Sequence, residues 1–222
     1  MNPSPLEGVV KFQLAHQSRP LEERVLGEVV RALVGWREVL RRLGGIGQEP
    51  GRYGGAGFGN LSLRIAPLGD AGRGRRRFLI TGTQTGGRRE LTLADCSVVE
   101  RYDLEHNHVT SFGGTPPSSE SLTHGAIYDA APSSRAVFHV HAPELWRQAR
   151  GLGLPLSRPE VPYGTPAMAH EVERLFREGA LAAHGIFAMA GHEDGVIAFG
   201  ESADATGAIL LRHSARALAG GQ

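Results

Sequence analysis

Residues 136–143 read Ala136-Val137-Phe138-His139-Val140-His141-Ala142-Pro143. The apolar run is rich in Val and Phe and is stopped by Ala142-Pro143, which predicts a strand over 136–141. In a strand, residues i and i+2 share a face, so His139 and His141 stand side by side. Two adjacent imidazoles are half of a metal site. The competing reading is two histidines at an exposed strand end. Their place at the end of an apolar run argues against it, because burying two imidazoles without a partner is costly.

Working upstream, Pro117-Ser118-Ser119-Glu120-Ser121-Leu122-Thr123-His124 predicts a helix opening at Ser118 and running to about Ala131. Serine serves as cap and the acid lies in the first turn. Hydroxyls and unpaired amides at a helix start can hold an anion, and Glu120 projects towards the same space. His124, four residues on, shares a helical face with Glu120, and a structural role, packing or pairing with Glu120, explains it. A second His-x-His, His106-Asn107-His108, follows Asp103 and Glu105 and precedes Thr110-Ser111. It reads as a solvent-facing hairpin tip with Asn at the turn. Context, not spacing, separates the two motifs.

Two glycine-rich loops offer further anion contacts: Gly57 to Ser62 enters a strand, and Thr81 to Gly87 leaves one. Neither carries the Gly-Lys-Ser/Thr of a P-loop or the dinucleotide fingerprint. His184 and His192 compete as a third metal contact. His170 and His213 lie in helices and His16 in the N-terminal arm, where surface or structural roles are expected.

Residues 1–19 read as an irregular arm. From Leu21, apolar residues recur at three and four through Leu43, a helix ended by Gly44-Gly45. Asn60 to Ile65 alternates as a strand, and Phe78 to Thr81 completes a hairpin across a basic turn, Gly72 to Arg77. Short strands follow at 97–101 and 104–110. Beyond His141 come a short helix at 144–150, a Pro/Gly-rich loop over 151–166 and an amphipathic helix at 167–179. Two strands, 185–190 and 195–199, and a last helix at 203–218 complete the chain. The order predicts one α/β domain at 21–222, with an arm at 1–20 and a mixed or mostly antiparallel sheet.

Composition narrows the chemistry. The chain has 222 residues, 41% hydrophobic and 21% charged, which is globular. No apolar run reaches the ~18–20 residues of a membrane span, and the first residues do not read as a secretion signal. With Cys96 as the single cysteine, no internal disulfide forms and a cytoplasmic setting is expected. Net charge is +1, which argues against a general nucleic-acid binder. The four arginines of the basic turn (Arg73, Arg75, Arg76, Arg77) read as a solvated loop. Lysine plus arginine total 24, yet Lys11 is the only lysine and falls in the arm. Carbonyl chemistry through a lysine Schiff base is therefore disfavoured, and a metal is the obvious alternative.

Taken in order, Gly59-Asn60-Leu61-Ser62, Thr85-Gly86, Pro117-Ser118-Ser119-Glu120 with His124, and His139-Val140-His141-Ala142-Pro143 resemble the class II aldolase/adducin family. That family includes fuculose-phosphate aldolase and ribulose-phosphate 4-epimerase. The resemblance spans about residues 22–218. It implies a three-layer α/β/α fold with a central, mostly antiparallel sheet, and a homotetramer with the active site near a subunit interface. It also implies that His139 and His141 bind a divalent metal, usually zinc. Glu120 would bind metal or move the substrate proton. Asn60, Thr85, Gly86, Ser118 and Ser119 would form a phosphate cradle, with Thr83 an alternative to Thr85 because the family loop is one residue shorter. For the third histidine, counting back from the last helix favours His192, with Glu193-Asp194 as an insertion; His184 has the literal His-Gly but lies a strand too early.

Two departures stand out. The segment between His141 and Ala167 is shorter than in the aldolases, which carry a proton-donating tyrosine there. Tyr163 is the tyrosine available, in a context that fits another stretch. The glycine loop before Asn60 is also unusually long. The implied function is a metal-dependent, aldolase-type lyase acting on a small hydroxy-carbonyl compound such as a sugar phosphate, through a metal-stabilised enediolate. The alternatives are a related dehydratase, epimerase or decarboxylase, or an adducin-like non-catalytic binding domain. No nucleic-acid or membrane partner is expected.

Overall fold

The computed structural model describes residues 10–69 and 71–220. Among the described residues ten strands occur in chain order: β1 Gln13–Ser18, β2 Gly47–Gln48, β3 Gly57–Phe58, β4 Asn60–Arg64, β5 Phe78–Thr81, β6 Cys96–Asp103, β7 His108–Gly113, β8 Ala136–His141, β9 Ile186–Ala188 and β10 Gly195–Gly200. The same residues form six α-helices: α1 Glu23–Arg42, α2 Ser121–Ala130, α3 Pro143–Gln148, α4 Pro166–Arg177, α5 Ala180–His184 and α6 Ala203–Gly220. Eight strands form one sheet in the order β1-β7-β6-β5-β4-β8-β10-β9, while β2 and β3 make a separate ribbon. Every neighbouring pair in the large sheet is antiparallel except β1 with β7. No helix among the described residues is long and apolar enough to cross a membrane.

The side-chain alternation of β8 shows how the layers are built. Ala136, Phe138 and Val140 pack with Leu26, Leu33 and Leu40 of α1, Leu145 of α3 and Leu210 of α6. Val137 faces the other way, onto Leu122 and Ile127 of α2 and Met168 and Val172 of α4. The sheet is thus covered on both sides, the three-layer α/β/α arrangement that the resemblance implies. Because β8 is central, all six of its residues are buried. Period-two alternation then puts His139 and His141 on the α2/α4 face with Val137.

Several local expectations change in three dimensions. Residues 13–18 of the expected arm are the edge strand β1, paired with β7 over six residues; residues 1–9 lie outside the described residues. The helix expected from Ser118 begins at Ser121, with Glu120 at the N-cap position and no side-chain cap. Ser118 and Ser119 form the turn before it, and the Ser121 amide donates to the Ser118 carbonyl at 3.1 Å. The second strand of the 97–110 pair starts only at His108, after a turn with Asn107 at φ 52°. The polar positions of β4 do not face water; all five of its residues are buried. Ser62 is satisfied there by His124 Nδ1 at 2.7 Å and the Tyr128 hydroxyl at 2.8 Å. Within the basic turn Arg73 and Arg75 are exposed, as a solvated loop requires, and Arg73 pairs with Glu173 at the surface; Arg76 alone of the four is buried, on Asp129 at 2.7 Å.

Candidate metal centre and anion cradle

The antiparallel register brings the histidines together. His139 lies between Asn60 of β4 and Ile197 of β10, and His141 opposite Gly195. The β9–β10 connection then folds His192 back over this end of β8. Its amide donates to the Met189 carbonyl at 3.0 Å, and its own carbonyl accepts from Gly195 at 3.0 Å. The ring centroids are 5.1 Å apart for His139–His141, 5.2 Å for His139–His192 and 4.8 Å for His141–His192. One ligand nitrogen from each can be chosen so that all lie within 4.8 Å of one another. His184, at the end of α5, is not part of this cluster, and neither is the Glu120 carboxylate.

Electrostatics favour a cation here. Burial holds His139 and His192 well below the ordinary imidazole pKa, and the neighbouring rings of the cluster add to the shift. Burial also lowers His141 to about 3, with Asp194 partly opposing it. All three rings are therefore held in the neutral form, in which one ring nitrogen of each can offer a lone pair to a metal. The ring nitrogens of His139 lack a well-formed hydrogen bond among the described residues, the Val196 backbone giving only a weak contact. Three neutral, buried imidazoles converging on one point fit a divalent ion with positions left open.

Beside the triad lies a small cavity lined by Asn60, Gly82 to Gly86, Ser118, Ser119, Gly57 and Gly59. All five residues expected to cradle an anion line it, and so does Thr83. The lining has no charged side chain, so an anion would be held by hydroxyls, the Asn60 amide and backbone N–H groups. Asn60 Oδ1 is buried with no hydrogen-bond partner among the described residues. The backbone comes close enough only because of glycine. A Cβ at Gly59, whose φ is 76°, would lie 2.7 Å from Ile46 and 2.8 Å from the Gly45 carbonyl, and one at Gly86 would strike the Gly47 carbonyl. Glu120 is buried in the adjoining turn, its amide donating to Ser118 Oγ at 3.3 Å. His124 is fully buried on Ser62 rather than paired with the Glu120 side chain.

Some contributors escape a local reading. Arg37 is 2% exposed, and its Nη2 donates to the carbonyls of Thr85 at 3.1 Å and Gly86 at 2.9 Å. It thereby fixes the cradle loop from behind. A charged residue inside the apolar stripe Leu33-Leu40 was the available signal. Tyr53, in the long glycine loop, places its ring edge-on to His141, with the centroids 4.4 Å apart. Its hydroxyl donates to Asp194 at 2.5 Å and accepts from Arg52 at 2.9 Å. Burial and Asp194 together push the Tyr53 phenol up. The long glycine loop and the Glu193-Asp194 turn are therefore joined beside the histidine triad. Tyr163 is also present, its ring 4.5 Å from that of His192. The second His-x-His stays outside: His106 is exposed and bonds Asp103 at 2.8 Å.

Replacing Arg37 by Met leaves the Thr85 and Gly86 carbonyls without their donor. The expected cost in a urea unfolding titration is about 1–3 kcal/mol, the usual penalty for stranded buried polar groups. Inorganic phosphate binding should weaken in the same variant while metal binding is unchanged. Unaltered phosphate affinity would show that the loop holds its shape without Arg37.

A layered α/β/α protein with a buried histidine triad beside a neutral cradle defines the class. The chain belongs to the family described as the class II aldolase and adducin N-terminal domain, which it matches over residues 52–211. Solved structures share the fold. The L-fuculose-1-phosphate aldolase of Thermus thermophilus is 21% identical, with 86% of this chain and 92% of that one covered and a TM-score of 0.60. A sugar-phosphate aldolase from Thermotoga maritima is 18% identical over 87% and 94%, with a TM-score of 0.63. An aldolase II superfamily protein from Pseudomonas syringae is 18% identical over 90% and 78%, with a TM-score of 0.59. No curated protein sequence gives a significant match.

Proposed function

We propose that the chain is a metal-dependent, aldolase-type lyase acting on a small hydroxy-carbonyl compound of the sugar-phosphate class. The convergence of His139, His141 and His192 next to a charge-free anion cradle carries this reading. Family membership supports it, and two of the structural neighbours are aldolases of sugar phosphates by name. A divalent ion in the triad, zinc by the donor set, would supply Lewis acidity to a chelated hydroxy-carbonyl group and stabilise enediolate charge.

The protein's own groups do the rest. Asn60, Ser118, Ser119, Thr85 and the Gly86 amide would bind a phosphate, fixing the reactant's distal end. Asn60 is both a cradle residue and the sheet neighbour of His139, so that end is held within one strand spacing of the metal ligands. Glu120, buried between cradle and α2, would take and return a carbon-bound proton. A homotetramer and a cytoplasmic setting belong to the same proposal.

The test is metal content by elemental analysis of the purified chain. It is joined to a screen for aldehyde release from phosphorylated ketoses and for turnover of their unphosphorylated acids. Stoichiometric metal and metal-dependent cleavage support the proposal; a chain that takes up no metal refutes it. His192→Ala should weaken metal binding by more than about 100-fold, above the usual loss from an outer-shell change. His184→Ala should leave it within about twofold, and the reverse order would move the third ligand.

A further inference from the structure

Tyr53 lies midway along the glycine loop before Asn60, in a single tight turn over Tyr53–Gly55. Its φ is 47°, and that of Asp194 is 62°. Aspartate enters the left-handed region readily. For a bulky side chain such as tyrosine that backbone is an outlier, and it persists only where neighbouring contacts hold it. Those contacts converge on His141. The Tyr53 ring is edge-on to the His141 ring at 4.4 Å and to Phe58 at 5.1 Å. Phe58 itself stands 5.2 Å from the His141 ring. The Arg52 guanidinium lies 4.4 Å from the Phe58 centroid. The Tyr53 hydroxyl donates to Asp194 Oδ2 at 2.5 Å and accepts from Arg52 at 2.9 Å. Because Arg52 supplies its own proton, the phenol proton is left for Asp194.

Asp194 is also held from its backbone. Its carbonyl accepts from the Ala142 amide at 2.8 Å, directly after His141. It stands two residues after His192 in the β9–β10 turn. The next residue, Gly195, packs against the His192 ring, since a Cβ there would strike Cδ2 of that ring. Tyr53 therefore reaches two of the three histidines by separate routes. Its ring backs His141 directly, and its hydroxyl ties down the turn that carries His192. The 4.8 Å between those two ring centroids is spanned by this bridge. Groups that fix the orientation of metal-binding side chains raise affinity, because less ordering remains to be done when the ion arrives.

We propose that Tyr53 is a positioning residue of the metal centre: through its ring and its hydroxyl bond to Asp194 it sets the spacing of His141 and His192. The inference rests on the metal-site reading above and adds a support from outside the triad.

The test measures zinc affinity of the full chain by competition with a chromophoric chelator, together with the absorption spectrum of the cobalt(II) form, which follows ligand geometry. Tyr53→Phe keeps the ring and removes the hydroxyl. Zinc affinity should fall about 10–100-fold, the usual loss when a group supporting a metal ligand is removed, and the cobalt spectrum should change. Asp194→Gly suits the left-handed backbone and should lose as much. The double variant should lose little more than either single one, because both remove the same bond. Asp194→Asn keeps an acceptor on a residue that tolerates this backbone, and should stay within about threefold of wild type. Melting of the metal-free variants separates positioning from folding. Earlier melting with unchanged zinc affinity and cobalt spectrum overturns the proposal, and so do additive losses in the double variant. If Asp194→Gly does not fold, Tyr53→Phe decides alone. A wild type that takes up no zinc sinks the metal-site reading. A wild type that binds zinc, with Tyr53→Phe binding it equally, sinks this proposal and leaves that reading standing.

Discussion

Alanine at both His139 and His141 should leave a folded chain that carries no stoichiometric metal and no lyase activity. Two of three donors are gone, and His192 alone offers a divalent ion no chelate. The thermal signature is the more telling readout. A metal that binds only the native state stabilises it by about 4 kcal/mol when present at 1,000 times its dissociation constant. Added zinc should therefore raise the melting temperature of the wild type and leave that of the double variant where it was. The double variant should not collapse in the absence of metal, because taking two imidazoles out of water is itself unfavourable. Their removal offsets part of the cavity cost. Retained stoichiometric metal, or a melting point that still responds to zinc, would show that the ion sits elsewhere.

Glu120→Gln is expected to lower turnover by about 10²–10⁴-fold, the range of a general acid–base contribution. Metal content should not change, since the carboxylate lies outside the histidine cluster. Glutamine keeps the shape of the buried turn and the Ser118–Glu120 backbone contact, so the Michaelis constant should move little. The contrast between the two experiments separates the roles: one removes metal and activity together, the other activity alone. Turnover within a few-fold of wild type would mean that another group moves the proton. Tyr53 would then be the next candidate, since it stands against His141 and hydrogen-bonds Asp194.

The Tyr53–Asp194 link also bears on how this chain differs from a plain family pattern. The resemblance marks the loop before Asn60 as long and reads Glu193-Asp194 as an insertion in the β9–β10 turn. Each looks like an unrelated surface insertion in one dimension. In the fold they meet across His141, with Arg52 bonded to the same hydroxyl.

What the sequence by itself determined is the set of local elements and two thirds of the histidine triad. The alternation in 136–141 places His139 and His141 on one face regardless of what packs there, because strand geometry is a two-residue property. The α1 stripe and the glycine stop at Gly44 are local in the same sense. Family resemblance supplied His192, and the β9–β10 turn carries it to the other two. Only the tertiary structure decided the rest. The edge strand β1 exists because β7 is there to pair with it, so an arm with no strong pattern of its own becomes part of the sheet. Arg37 reads as an interruption of an apolar face until the carbonyls of Thr85 and Gly86 arrive beneath it. His124 is structural as its spacing suggests, but its partner, Ser62 of β4, is one that only the fold brings to it. Each of these contacts joins residues far apart in the chain. Such pairings are set by the order of strands in the sheet, which periodicity within a short window does not encode.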